Sequence, residues 1–465
     1  MDKSELIKYS YGNIHGHTDL SSNLRFLDSS ITVKEMLDYS NEIGLKAVSF
    51  TGHEALGDHI KAERYYHDNQ DKFKDIKLVL GNEIYLVNRS EMEKAEEANE
   101  KFKLNHFLIN ALDKKGHEFL QKQTSLAWSH YHVYHGSERV PSFYNEIESL
   151  MKDGGYQGHV IASTACLGGY VSQELLAYEN DGDKTHLNKV KAMVDWAIKV
   201  FGKGNFFLEL MPSHHEEQLV VNNWLKRISK SLGVPFIITT DAHYLNEAQR
   251  PTHSALLRSR NQDRDLSVYD TAHLFSVEEL FEFFDDDTLT KAFTALHTII
   301  DRVQDYTLEH EPIVPQGRIP EFSKPSYTDF YHGEDLPNIK KMVESGNKTD
   351  SYLMKLALDG LEKHGLKDNN DYLKRLDLEV GELVKITENI GQPMSSYFVA
   401  QHDFVDIMWT QSLVGPGRGS SSCWLLNYLI GLTQVDALKY KLPHYRFLSA
   451  ERVTENTASN YPDEL

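Results

Sequence analysis

Over its first 245 residues the chain repeats one rhythm. A short apolar run carries or closes on a side chain able to ligate a metal, and a segment of helical period follows. "KAVSFTGH" (46–53) closes on His53, and "KLVLGNEIYLV" (77–87) carries Glu83. "GHVIASTAC" (158–166) closes on Cys166. "NFFLELMPSHH" (205–215) carries Glu209 and His214, and "VPFIITTDAHYL" (234–245) carries Asp241 and His243. "HFLINAL" (106–112) is the exception, with His106 at its start. Between these runs lie segments such as "TVKEMLDYSNEIG" (32–44) and "EEQLVVNNWLKRISKSLG" (216–233), each ending on a C-cap glycine. Strands alternating with helices imply βα units and a parallel sheet. About seven units fit, which predicts a closed or nearly closed α/β barrel with its functional side chains at the C-terminal strand ends.

"GNIHGHTDLSS" (12–22) precedes these runs and places His15 and His17 one residue apart. On an extended strand, residues i and i+2 share a face, so both imidazoles aim at one point. Asp241 and His243 in "TTDAH" repeat that spacing. Two same-face pairs, joined by ligand-type residues from most other strands, predict a metal centre. His, Asp, Glu and one Cys favour zinc, with manganese or iron also compatible. The donors outnumber what one tetrahedral ion uses, so two or three ions are expected. Clustered ions suit phosphoester hydrolysis, by activating water and clamping phosphate oxygens.

Composition removes several classes. No run of eighteen apolar residues occurs, so no membrane span is expected. "MDKSELIKYS" has no apolar signal core, and two cysteines, Cys166 and Cys423, fit a reducing cytoplasm. A net charge of −20 argues against a polyanion-binding surface over the whole chain, though not against a local basic groove.

These motifs resemble the PHP (polymerase and histidinol phosphatase) domain, most closely the form at the front of bacterial DNA polymerase III alpha subunits. "HFLINALDKKG", "STACLGGYV" and "TTDAHYLNEAQRPTH" match its characteristic segments. The resemblance implies a distorted (β/α)7 barrel. By position it implies the ligands His15, His17, His53, Glu83, His106, Cys166, Asp241 and His243. A further Asp completes the set, Asp28 in "RFLDSS" or alternatively Asp19. Of these, Asp241, His243, His15 and His17 are implied to be catalytic. One departure stands out: the family's acidic residue before the second-strand His is Gly52 here. That bears on hydrolytic competence more than on metal binding.

Farther along, "LEHEPIVPQGRIPEFSKPSYTD" (308–329) is rich in Pro and turn residues and reads as linker. "DSYLMKLALDGLEKHG" (350–365) and "YLKRLDLEVGELVKITENIG" (372–391) have helical period. In "SLVGPGRGSSSCWLLNYLIGL" (412–432) a Gly/Ser-rich turn runs into an apolar helix. Glycines let backbone approach an anion, N–H groups at a helix start point at it, and Arg418 adds a bidentate donor. This is not a Walker loop, since no Lys follows the last Gly. "SSYFVAQHDFVDIM", "VGPGRGSSS", "IGLTQVDALKY" and "YRFLSAERV" are similar to the polymerase III alpha palm entry, in order and spacing. By that resemblance Gly417, Arg418, Gly419, Ser420 and Ser421 cradle the incoming nucleotide's triphosphate, and Arg446 and Arg452 join them.

The expected organisation is a PHP barrel over 1–300, a linker over 301–349, thumb-like helices over 350–391 and an incomplete α+β palm over 392–465. The resemblance implies primer-template DNA and dNTPs as substrates, with Mg2+ for synthesis in the complete enzyme. The family's "PDIDxD" carboxylates are not seen in "ERVTENTASNYPDEL", where Asp463 and Glu464 do not form that motif. A further polymerase segment or partner subunit is therefore expected, and apolar faces past about residue 390 are expected to lack cover. The alternatives are an autonomous PHP phosphoesterase and a non-catalytic PHP scaffold.

Overall fold

The computed structural model describes residues 1–22, 28–259, 266–310 and 313–453. Contacts divide the chain into two compact units, Met1–Glu309 and His310–Leu465.

Among the described residues the first unit is built on ten strands: β1 Gly12–Asn13, β2 Ala47–His53, β3 Lys77–Val87, β4 Asn105–Ala111, β5 His132–Tyr134, β6 Ser137–Arg139, β7 Ser142–Phe143, β8 Val160–Ser163, β9 Phe206–Leu210 and β10 Phe236–Ile238. β5 and β6 form a separate hairpin, and β7 attaches to β3. The remaining seven run in the order β1-β2-β3-β4-β8-β9-β10. Just past the two ends of that path, Gly16 bridges to Ala242, and His17 N–H donates to Ala242 O at 2.8 Å, which draws the sheet toward closure. The inner strands are apolar along their length because both faces are covered. Val48, Phe50, Ile109, Ile161, Leu208 and Ile237 are all fully buried. Helices Val33–Glu42 and Glu216–Leu232 form where their periodicity places them.

The sheet is not wholly parallel, contrary to expectation. β4 runs antiparallel to both β3 and β8. The connection from β3 to β4 contains a single helix, Arg89–Glu97, and the chain re-enters the sheet at the end where β3 leaves it, without crossing the barrel. This reversal explains why His106 begins its strand: the start of β4 lies at the end of the sheet where its neighbours finish. His106 pairs with Tyr85, two residues past Glu83.

The second unit is helical. Its core gathers Leu353, Leu376, Phe398, Trp424 and Leu426 from helices Lys348–Lys363, Asn370–Ile390, Ser395–Gln411 and Leu425–Leu429. Helix Pro337–Glu344 lies inside the 301–349 stretch that reads as linker from sequence. Among the described residues no strand follows Ile238, so the α+β character expected over 392–465 is not found there. That stretch instead forms the helices Ser395–Gln411 and Leu425–Leu429, with the consecutive residues Ser395–Ala400 buried in the core. Trp424, Leu425 and Leu426 are fully buried, against the expectation of loose packing beyond residue 390. Exposed apolar side chains do occur there, at Phe404, Ile407, Met408, Trp409, Leu413, Tyr440 and Tyr445 among the described residues. Asp463 and Glu464 lie outside the described residues.

Candidate metal centre

Two extended segments bring the histidine pairs together. β1 ends at Asn13 and β10 at Ile238, so His15–His17 and Asp241–His243 lie just beyond the regular strands. His15 and His17 share a face at i, i+2, whereas Asp241 is aimed inward by its own non-extended backbone. Asn13 pins the segments to each other: its Oδ1 accepts from Thr240 N–H at 3.0 Å and its Nδ2 donates to His15 O at 2.8 Å. Asp241 has φ +46°, a left-handed conformation costly for a residue with a Cβ. Such strain persists where its surroundings dictate it, and here it turns the carboxylate into the cluster.

Three groups of donors overlap: His17, His53 and His243; His15, His17, Glu83 and Asp241; and Glu83, His106 and Cys166. Within each group every donor atom lies within 4.8 Å of the others. Donors around a tetrahedral ion at about 2.0–2.1 Å stand about 3.3 Å apart. The spacings in the cluster bracket that value. His17 Nε2 is 2.9 Å from Asp241 Oδ1 and 3.2 Å from Glu83 Oε2, and His15 Nε2 is 3.2 Å from Asp241 Oδ1. His53 Nδ1 is 3.0 Å from Glu83 Oε2, and Cys166 Sγ is 3.4 Å from His106 Nδ1. Glu83 sits between groups, with Oε2 toward His15, His17 and His53 and Oε1 against His106.

The rings are held by their other nitrogens. His15 Nδ1 meets Glu209 Oε2 at 2.9 Å, His17 Nδ1 meets Ser21 Oγ at 3.3 Å, and His243 Nδ1 meets Asp241 O at 2.7 Å. In each case Nε2 is left for the centre. Buried His15 Nε2, His17 Nε2, Glu83 Oε2 and Asp241 Oδ1 have no hydrogen-bond partner despite these short separations. They converge on shared points instead of aligning with one another, and buried polar atoms do not normally go unmatched. The donor set thus fits divalent cations.

Electrostatics in the cluster follow from the crowding. Burial disfavours the charged form of every member. For His15 the charges of Asp241 and Glu209 outweigh it and hold the pKa well above the usual value. For His53, Asp28 and Glu83 do the same, raising it to about 10. His243 goes the other way, to about 4, because burial dominates over nearby Asp241. Burial acts against ionised Glu83, yet His106 and His53 hold it well below the carboxylate range; His15 and His243 do likewise for Asp241. Burial, with Asp241 and Glu83, pushes the Cys166 thiol well up.

All nine residues named from sequence are gathered here, with Asp28 in place through a 2.7 Å contact of its Oδ2 with His53 Nε2. The alternative, Asp19, is absent from every donor group, and its N–H donates to Ile31 O. Gly52 has a steric reason: a Cβ there would stand 2.4 Å from Ala55 O and 2.7 Å from Ser21 O. An acidic side chain cannot enter this backbone without displacing it.

Sequence reasoning missed two residues. Glu209 accepts from His15, Ser163 Oγ, Ala165 N and Thr239 Oγ1, the last two at 3.1 and 2.5 Å. Its place on an apolar strand was visible, but its role behind His15 was not. His215, next to the noticed His214, lines a cavity of about 210 Å3 with His106, Cys166, Gln218, Asp241 and Tyr269. Its Nδ1 is buried without a partner. His214 instead points to solvent near Glu282, at 3.6 Å.

In the second unit Gly417 and Gly419 have φ of +150° and +58°, and Gly419–Cys423 forms a tight turn. Arg418 is exposed, and its carbonyl accepts from Ser421 Oγ at 2.6 Å; Ser421 is buried and Ser420 half-buried. The turn holding exposed Arg446 packs beside it, with Trp424 Nε1 donating to His444 O at 2.9 Å. Arg452 donates to Tyr445 O and Phe447 O. One expectation is corrected. The N–H groups opening helix Leu425–Leu429 are not open to a phosphate, because Glu379 accepts from Leu425 and Leu426 at 2.9 and 2.8 Å. A carboxylate from the neighbouring helix has taken the anion's place. Among the described residues, no helix is long and apolar enough to cross a membrane.

Comparison with known proteins agrees with this division. Residues 13–213 match the PHP domain, and residues 351–456 match the bacterial DNA polymerase III alpha NTPase domain. The chain is 37% identical over 470 residues to the probable DNA polymerase YorL of Bacillus subtilis (strain 168) and, with the same figures, to the DNA-directed DNA polymerase of Bacillus phage SPbeta. Those alignments cover 94% of this chain. It is 30% identical over 455 residues to DNA polymerase III subunit alpha of Aquifex aeolicus (strain VF5), covering 95% of this chain. In each case it spans 35% of the relative's length. Aligned over nearly all of its own length with about a third of these polymerases, the chain carries a PHP domain followed by a bacterial DNA polymerase III alpha domain.

Proposed function

We propose that this chain supplies a DNA polymerase III alpha-like enzyme with a metal-dependent phosphodiesterase centre and with the turn that receives the incoming nucleotide. The observation that carries this reading is a buried, convergent ligand cluster in a PHP domain, on the same chain as a polymerase III alpha segment. The centre takes two or three divalent ions, zinc or manganese, on His15, His17, Asp28, His53, Glu83, His106, Cys166, Asp241 and His243. A cation held there supplies Lewis acidity to a phosphate oxygen and acidifies water. Glu209 fixes the His15 tautomer, and the 210 Å3 cavity beside Asp241 and His106 admits the scissile phosphate. The substrate is the 3′ end of a DNA strand, so the activity removes nucleotides. In synthesis, Gly417, Arg418, Gly419, Ser420, Ser421, Arg446 and Arg452 orient the dNTP triphosphate over a primer-template. Magnesium and a further polymerase segment or subunit support the transfer, in the cytoplasm.

The test is a 5′-labelled primer-template incubated with the chain and Mn2+ or Zn2+. Shortening from the 3′ end, abolished by chelator and by Asp241→Asn with His243→Ala, is expected. Supplying the remaining length of a relative in trans should add primer extension that Arg418→Ala weakens. Bound metal with no shortening refutes the phosphodiesterase and leaves a scaffold. Extension by this chain alone, lost in Arg418→Ala, refutes the division of labour.

A further inference from the structure

His106 faces two cavities. One is the mouth described above; the other, about 470 Å3, is lined by Tyr85, Phe102, Lys103, Glu138, Arg139 and Gly168 among others. Phe102, Lys103 and Gln173 are shared with a third cavity of about 580 Å3, walled by half-buried Tyr144, Tyr170 and Trp196. A continuous groove therefore leads from the metal ligands past two cations to an aromatic chamber.

The cations are unusual in a chain of net charge −20. Arg139 makes no ion pair among the described residues, and its Nε is buried without a hydrogen-bond partner. Its guanidinium stands 5.7 Å from the Phe102 ring centroid. The hairpin β5–β6 fixes it, with Arg139 opposite His132. Lys103 Nζ donates to neutral Gln173 Oε1 at 2.6 Å. The one carboxylate lining this stretch is exposed Glu138, which accepts from Tyr131 OH at 3.0 Å. Beyond it, Tyr144 and Trp196 meet edge to face with centroids 4.8 Å apart, and Glu91, Glu174 and Lys189 rim the chamber. Unpaired cations spaced beside aromatic walls are the chemistry of a single nucleic-acid strand, cations tracking phosphates and rings stacking bases.

We propose that this groove seats a single DNA strand, with phosphates on Arg139 and Lys103 and an unstacked base among Phe102, Tyr144, Tyr170 and Trp196, so that the strand's end reaches His106. The proposal rests on the phosphodiesterase reading for why a strand is brought there, but not for whether one binds. The strand lies across Tyr85, whose ring centroid is 5.3 Å from that of His106. A duplex has no unstacked base to offer the chamber and is excluded from it.

The test is fluorescence anisotropy of the full chain with 5′-labelled, phosphorothioate-linked (dT)12, which is hydrolysed slowly. Arg139→Gln and Lys103→Gln should each raise Kd about tenfold, and each should flatten the salt dependence by about 0.7 in log–log slope. Phe102→Ala should raise Kd fivefold or more. Lys291→Gln, outside the groove, should leave it unchanged, and Arg139→Lys should bind within about threefold of the parent. Hydrolysis of bis-p-nitrophenyl phosphate, too small to span the groove, should be equal in parent and Arg139→Gln. If that hydrolysis is absent from the parent while the groove variants still weaken strand binding, the phosphodiesterase reading fails and the groove stands. Lys103 is exposed, so its variant folds and remains decisive if Arg139→Gln does not. No measurable strand binding by the parent, or equal Kd in the parent and Lys103→Gln, overturns the groove.

Discussion

Replacing Glu209 by Gln isolates what a residue behind the ligands contributes. Both carboxylate oxygens accept two donors: Oε1 from Ser163 and Ala165, Oε2 from His15 and Thr239. An amide can place its NH2 on either side, and both choices are costly. Toward Ala165, two N–H donors face each other, and an unsatisfied buried donor costs about 1–3 kcal/mol. Toward His15, Nδ1 must become the acceptor, so the ring's proton moves to Nε2. That nitrogen can then no longer bind a cation. Ser163 and Thr239 can rotate their hydroxyls to suit either case, but a backbone N–H and a ligating imidazole cannot. A partner behind a metal-bound histidine is typically worth 10–100-fold in metal affinity. Competition with a chromophoric chelator should therefore show Glu209→Gln binding zinc at least tenfold more weakly than the parent. Its melting temperature should fall in the metal-loaded protein more than in the chelator-treated one. Affinity within threefold of the parent would refute the assignment of Glu209 to the His15 tautomer.

Three further outcomes follow from other parts of the chain. Gly52→Asp, which restores the residue type usual in the family, should destabilise the first unit by about 1–3 kcal/mol in urea melts, because its Cβ meets two backbone oxygens; unchanged stability would show that the backbone yields freely. His117 is held at about 3 by burial and by the neighbouring His59, whose Nδ1 lies 2.9 Å from His117 Nε2. A depressed histidine means the unfolded chain binds the proton more readily, so this stability is complete above about pH 6.5 and drains as pH falls toward 3; His117→Gln should reduce the loss between pH 6.5 and 5 by about 2 kcal/mol, read from melts at both pH values. Arg375 donates to Glu379, Cys423 O and Leu442 O at 2.6, 2.6 and 2.9 Å, and burial already raises Glu379 to about 7, so Arg375→Met should leave Glu379 protonated and two carbonyls without their donor, destabilising the second unit by about 1–3 kcal/mol, seen as faster proteolysis within 412–424.

The barrel and the clustering of its candidate ligands were legible because both follow from short-range pattern. β3 is bounded at Lys77 and Val87, as its apolar run is, and the helices stop near their C-cap glycines. A ligand such as His53 or Asp241 announces itself by residue type at a strand end. Asp28 was harder, because its 2.7 Å contact with His53 joins positions far apart in sequence, and such a pairing leaves little trace in local pattern. Glu209 and His215 were visible as residues but not as roles. A carboxylate one layer behind a ligand looks like any buried polar residue until the partner at 2.9 Å is seen. The Gly/Ser-rich turn failed in the opposite direction. Its glycines and Arg418 were read correctly as a tight turn, but the carboxylate that occupies the following helix start comes from Glu379, over forty residues earlier.

The reversed strand shows how one topological irregularity serves the site. Had β4 run parallel like its neighbours, its start would lie at the opposite end of the barrel, and His106 with it. Reversal brings His106 against Glu83 Oε1 and Cys166, and these three form a donor group distinct from the histidine pairs. Glu83 can bridge the groups only because both of its oxygens find ligands, and the second oxygen's ligands come from β4 and the turn after β8. An antiparallel strand inside an otherwise parallel barrel gives up the regular crossover on that side. The segment 88–104 replaces it with one short helix and an irregular return, and that return carries Phe102 and Lys103. The groove proposed for the DNA strand and the extra donor group thus have one origin. A change that shortens the 98–104 return should disturb both together, whereas a change confined to β1 or β10 should affect only the histidine pairs.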